Sequence, residues 1–190
     1  MAKIPKPEWE LAPEGVHNAV CCKFIDLGTQ LTTFKEEEKE VRQCRVYFHL
    51  VDEKTSKGDN VVVFQKFTYS ASPNSNFAKT LKAWLMVKDP ANFDPSDLIG
   101  KPASITIEHN NGYANITNIS GLAKGVKPKK SNEPSYCLFL TPEDFDANVF
   151  NELPEKTQGL IADTKEYLLA TTAKKKTAKP AAKVPAKGKK

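Results

Sequence analysis

The stretch that decides the fold is residues 41–69, VRQCRVYFHLVDEKTSKGDNVVVFQKFTY. Its first half alternates: Cys44, Val46, Phe48 and Leu50 share one parity, and Arg45, Tyr47 and His49 share the other. Successive side chains of a strand point to opposite faces, so the first set suits a core and the second meets water or a ligand. Lys57-Gly58-Asp59-Asn60 reads as a turn, and residues 60–69 return as a second strand. In that strand Val61, Val63, Phe67 and Tyr69 have one parity and Val62, Phe64 and Lys66 the other. Lys66 and Phe67 face the same side only if a bulge near Gln65 shifts the register. The pair is read in two ways: as an ordinary two-sided piece of a β-rich core, or as a basic and aromatic face on which cations meet phosphate and rings stack on bases.

The segments around it give this pair a place. Residues 1–15 are rich in proline and charge and form an N-terminal arm, which Trp9 and Leu11 are expected to anchor. Residues 16–27 read as a first strand, and 28–40 as a long polar connection whose acidic run, 36–38, is solvated. After Tyr69 the period changes. Phe77, Leu81, Trp84 and Leu85 recur as one helix face, with a capping residue expected within Ser72-Pro73-Asn74. Residues 103–109 alternate again, Asn110-Asn111-Gly112 is a hairpin signal, and 113–122 form the returning strand.

Three strands, a helix and a closing hairpin is the order of an oligonucleotide-binding (OB) fold. The expected class is therefore mainly β: a five-stranded OB barrel over residues 16–122, with the helix between strands 3 and 4 plugging one end. An open sheet with one helix packed on it fits the same order. In an OB fold the ligand crosses strands two and three between the loops joining strands one–two and four–five. Here that surface is Arg42, Arg45, Tyr47, Lys66, Phe67 and Tyr69, rimmed by Lys35 and Tyr113.

Beyond residue 122 the composition splits. Residues 123–135 are a basic linker. Residues 136–172 hold seven acids against two lysines and read as a partly helical extension, with a helix start at 142–146 and one amphipathic helix over 154–169. Residues 173–190 carry eight lysines and no acid, and so little apolar side chain that a disordered tail is expected. The tail supplies the formal charge of +5, because residues 1–172 contain 20 basic and 23 acidic groups. Polyanion binding by the body therefore needs a local patch, whereas the tail binds nucleic acid non-specifically by itself or pairs with the acidic extension.

No catalytic constellation emerges. Phosphate-loop motifs are missing, and His17, His49 and His109 fall on three separate predicted strands without metal-ligand spacing. Cys21, Cys22, Cys44 and Cys137 form no CxxC and read as buried free thiols in a reducing compartment. The reading is a non-enzymatic binding protein without cofactor or metal. No signal-peptide core or bilayer-length run occurs, which points to a soluble intracellular protein without membrane contact.

The chain resembles a group of bacteriophage proteins encoded among replication and recombination genes, which look like OB-fold single-stranded DNA-binding proteins. The resemblance is carried by Asp26-Leu27-Gly28-Thr29-Gln30, Leu98-Ile99-Gly100-Lys101-Pro102, Gly112-Tyr113-Ala114-Asn115-Ile116, and Glu143-Asp144-Phe145-Asp146 with Phe150 and Leu153-Pro154. It implies sequence-independent cover of single-stranded DNA in the cytoplasm of an infected bacterial host, with replication or recombination proteins as further partners, and is compatible with a homo-oligomer. Bacterial single-stranded DNA-binding proteins typically end in an acidic, hydrophobic tip that recruits partners, whereas this chain ends in lysines. The alternative function is a protein-interaction module that recruits its partner through the acidic segment 136–153.

Overall fold

A computed structural model describes residues 10–34 and 37–177. Six strands make one sheet: β1 (Gly15–Phe34), β2 (Glu37–Lys54), β3 (Asn60–Thr68), β4 (Pro102–Asn110), β5 (Tyr113–Ser120) and β6 (Tyr136–Leu138). Its order is β3-β2-β1-β4-β5, antiparallel throughout. β6 adds in parallel to β1 at Lys23–Ile25, just past the stretch that pairs with β4. Helix α1 (Asn76–Leu85) lies between β3 and β4, as the sequence pattern predicts.

The sheet curls. Cys44, Val46, Phe48 and Leu50 of β2, Phe67 of β3, Ala103, Ile105 and Ile107 of β4 and Ile119 of β5 share one core with Phe77, Leu81 and Trp84 of α1. That set is the alternating parity of each strand plus the helix face, and burying each large side chain contributes about 1.5–3 kcal/mol. The five-stranded closed barrel is the expectation that does not hold. Among the described residues no ladder joins β3 to β5, so the sheet has six strands and is not closed. Its two edge strands instead line a common groove.

The region read as a polar connection, 28–40, is an ordered ribbon. β1 continues to Phe34, β2 begins at Glu37, and pairing runs from Gly28↔Gln43 out to Phe34↔Glu37. Thr29, Thr32 and Thr33 are β-branched, which suits strands. Both faces of the ribbon's outer part meet water, so the apolar alternation that marks a half-buried strand is missing. A register shift at Asp26/Gly28 starts the ribbon, and Gly28 takes φ 69° there. The Asn110-Asn111-Gly112 hairpin forms as read, with positive φ at both Asn111 and Gly112. The cap of α1 is Ser75 rather than a residue of 72–74: its Oγ accepts from the Ala78 N–H at 3.1 Å.

The C-terminal extension packs on the opposite face of β1 and β2. It comprises β6 and the helices α2 (Ala147–Asn151), α3 (Glu155–Ala162) and α4 (Lys165–Thr177). Ile25 and Leu27 of β1 form a second core with Leu138, Leu140, Phe145, Phe150, Leu153, Ile161 and Ala170. The single helix expected over 154–169 is two helices, broken at Asp163 and Thr164. Thr164 bonds back to the Ile161 carbonyl at 2.7 Å and accepts from the Tyr167 N–H at 3.3 Å, ending one helix and opening the next. The helix start at 142–146 becomes a turn, and Asp146 caps α2 through the Asn148 N–H. The backbone at 173–177 is helical, where the composition predicts a disordered tail; alanine and lysine are good helix formers. Residues 178–190, Trp9 and Lys35 lie outside the described residues. Within the described part of the arm, Leu11 is exposed and Ala12 is buried.

Candidate nucleic-acid interface

The face read from the sequence is divided by the fold. Arg42 is engaged with the wholly buried carboxylate of Asp26, Nη2 to Oδ2 2.5 Å, and lies 5.3 Å over the Tyr69 ring. Burial works against its charge, but the hydrogen bond and charge of Asp26 outweigh this and raise its pKa. Tyr69 packs edge-on to Phe24 at 5.4 Å and to Phe77 at 5.8 Å. Burial, reinforced by Asp26, pushes its phenol up to about 12. Phe67 is a core residue, 5.4 Å from Phe77. The bulge near Gln65 that would have turned it outward does not form, because β2 and β3 pair without a shift from Gln43↔Thr68 to Leu50↔Val61.

Arg45 and Tyr47 do occupy the outward parity, but the C-terminal extension covers them in part. Arg45 Nη1 donates to Thr157 Oγ1 of α3 at 3.2 Å, and its buried Nε has no partner. Tyr47 packs against the second core. His49, on the same parity, is buried and bonds to Ser131 Oγ at 2.9 Å. Burial lowers its pKa. The linker around Ser131 is itself tied to the sheet, through Lys129 to Asp52 and through Asn132 and Glu133 to Asn60.

Lys66 and Tyr113 remain open, and the fold brings them together. With Phe64 they line a groove of about 660 Å³ between β3 and β5, floored by Val61, Val63 and Ile116. Phe64 is 49% exposed and Tyr113 70% exposed. The Phe64 ring is held by neighbours: Tyr47 lies 5.3 Å from it, and the Arg45 guanidinium sits 4.8 Å away. Arg45 and Tyr47 thus support an exposed ring rather than presenting themselves. Glu10, the one acid among the described residues lining the groove, is satisfied by the N–H and hydroxyl of Ser56. Phe64 is the residue missing from the sequence-derived surface. Its signal was present, since it shares parity with Lys66 and pairs opposite Tyr47.

The acidic segment 136–153 turns its apolar side chains inward, with Leu138, Leu140, Phe145, Phe150 and Leu153 all in the second core. Cys21, Cys22 and Cys44 are buried free thiols and Cys137 is partly buried. Burial raises all four, Cys22 and Cys137 to about 11, which makes them poor nucleophiles at neutral pH. Among the described residues no group of three or more His, Cys, Asp or Glu is placed to hold a metal, and no helix is long and apolar enough to cross a membrane. Comparison with protein-family models, with curated proteins and with solved structures finds no match.

Proposed function

We propose that this chain is a non-enzymatic single-stranded DNA-binding protein of OB type, acting in phage DNA replication and recombination, and that the strand lies along the β3–β5 groove. The observation that carries this reading is the pair of exposed rings, Phe64 and Tyr113, on a groove that also holds Lys66. Two rings on opposite edge strands offer stacking platforms to successive bases, each worth about 1–3 kcal/mol and indifferent to base identity. Lys66 supplies a phosphate partner beside them. The strand order β3-β2-β1-β4-β5 and the helix between β3 and β4 support the OB-type reading, although the sheet is not closed. The lysines beyond residue 172 add sequence-independent, salt-sensitive attraction.

Fluorescence anisotropy with labelled oligothymidylate and with duplex DNA tests the reading. The full chain binds the single strand more tightly, and replacing Phe64 and Tyr113 together by alanine weakens that binding at least about tenfold. Equal affinity for duplex and single strand, unchanged in the double variant, assigns binding to the lysines alone and removes the groove.

A further inference from the structure

A second concavity, of about 460 Å³, lies where the end of the β2–β3 pair meets the N-terminus of α1. Gln43, Lys66, Thr68, Ser72, Asn74 and Asn76 are among its lining residues, and among the described residues no acid lines it. Gln43 is the informative one. It is only 8% exposed, yet among the described residues its side-chain amide has no hydrogen-bond partner. The amide is not sealed off: it opens onto the pocket, where a ligand can satisfy it in place of water. The start of α1 is unsatisfied too. Ser75 Oγ takes the Ala78 N–H, while the N–H groups of Asn76 and Phe77 have no acceptor among the described residues. The first turn of this ten-residue helix holds no acid that would occupy its positive end.

We infer that this pocket is a phosphate-binding site, in which the Gln43 amide and the first N–H groups of α1 donate to the phosphate oxygens and Lys66 neutralises their charge. A helix N-terminus favours an anion through its free N–H groups and its dipole. The Gln43 amide adds a side-chain donor that a bare helix end lacks. The volume lies within the ~300–1,000 Å³ of small-molecule sites, so it holds a phosphate together with an attached sugar. The phosphate comes either from a nucleic-acid strand, in which case the site rests on the function proposed above, or from a free phosphate compound such as a mononucleotide.

The test uses the full chain labelled with ¹⁵N and titrated with inorganic phosphate against sodium chloride of matched ionic strength. The backbone amides of Asn76 and Phe77 and the side-chain amide of Gln43 shift with phosphate and not with chloride. Asn76→Asp, which suits the helix dipole but repels an anion, weakens that response about tenfold or more. Gln43→Leu, which removes the side-chain donor, does the same. If phosphate leaves these groups unmoved, or moves them equally in Asn76→Asp, the site is overturned. Oligothymidylate and thymidine monophosphate identify the source. Weaker binding of the oligonucleotide by Asn76→Asp assigns the pocket to a strand, and loss confined to the mononucleotide assigns it to a free phosphate compound. A chain that binds phosphate here but no oligonucleotide at all refutes the single-strand function while the pocket stands.

Discussion

Arg42 of β2 lies against the fully buried Asp26 of β1, Nη2 to Oδ2 2.5 Å, and the same carboxylate accepts from the Gly28 N–H at 3.0 Å and the Leu140 N–H at 3.4 Å. One carboxylate thus joins two strands and the C-terminal extension, where the register of β1 shifts. The pair is architectural. Arg42→Ala leaves a buried charge without its counter-ion and is expected to cost about 3 kcal/mol, the lower end for a broken buried pair because Arg42 is itself partly exposed. Urea unfolding measures this. At temperatures where the variant is folded, its affinity for oligothymidylate is unchanged.

Gly28 is where the extension docks. A Cβ at this position would lie 2.7–2.9 Å from the side chain of Thr164, and φ is +69°. Gly28→Ala therefore adds a clash to a left-handed backbone that costs an L-residue about 1–2 kcal/mol. The expected result is a lower urea midpoint, with hydrogen exchange accelerated first in α3 and α4 and only later in β2 and β4. Uniform acceleration across the sheet would show that the extension is not a separable unit.

Glu166 at the start of α4 gives that docking a pH dependence. It accepts from the Thr29 N–H at 3.0 Å and from the Thr29 hydroxyl at 2.5 Å. Burial pushes its carboxyl up, but these two bonds outweigh burial and hold the pKa below the ordinary 4.5. A carboxylate with a lowered folded-state pKa stabilises fully above its unfolded value, and the contribution disappears as pH falls through the folded one. Glu166→Gln is thus less stable than the parent at neutral pH. The difference narrows below pH 4.5, as urea midpoints across that range would show.

The elements that alternate or repeat were legible in the sequence. β2, the α1 face and the β4–β5 hairpin each bury one parity or one helical stripe, so their patterns survive in composition. The ribbon at 28–40 was not legible, because a two-stranded arm in water requires no apolar face. The site was legible only in part, for a related reason. Parity assigns Arg45 and Tyr47 to the outside of β2, and that is where they are, but parity says nothing about what lies above them. The second core, formed by Ile25 and Leu27 with residues more than a hundred positions away, covers that side. The open residues are consequently Phe64, Lys66 and Tyr113, two strands of which meet only because the sheet curls.

Photo-cross-linking bears most directly on the claim that the β3–β5 groove carries the strand. Irradiation of the full chain with bromodeoxyuridine-substituted oligonucleotide, followed by mass spectrometry of the peptides, locates the contacted residues. The groove account predicts adducts on Phe64 and Tyr113, lost when the two are replaced by alanine. Adducts confined to peptides from residues 173–190, or spread equally over a duplex control, would contradict it.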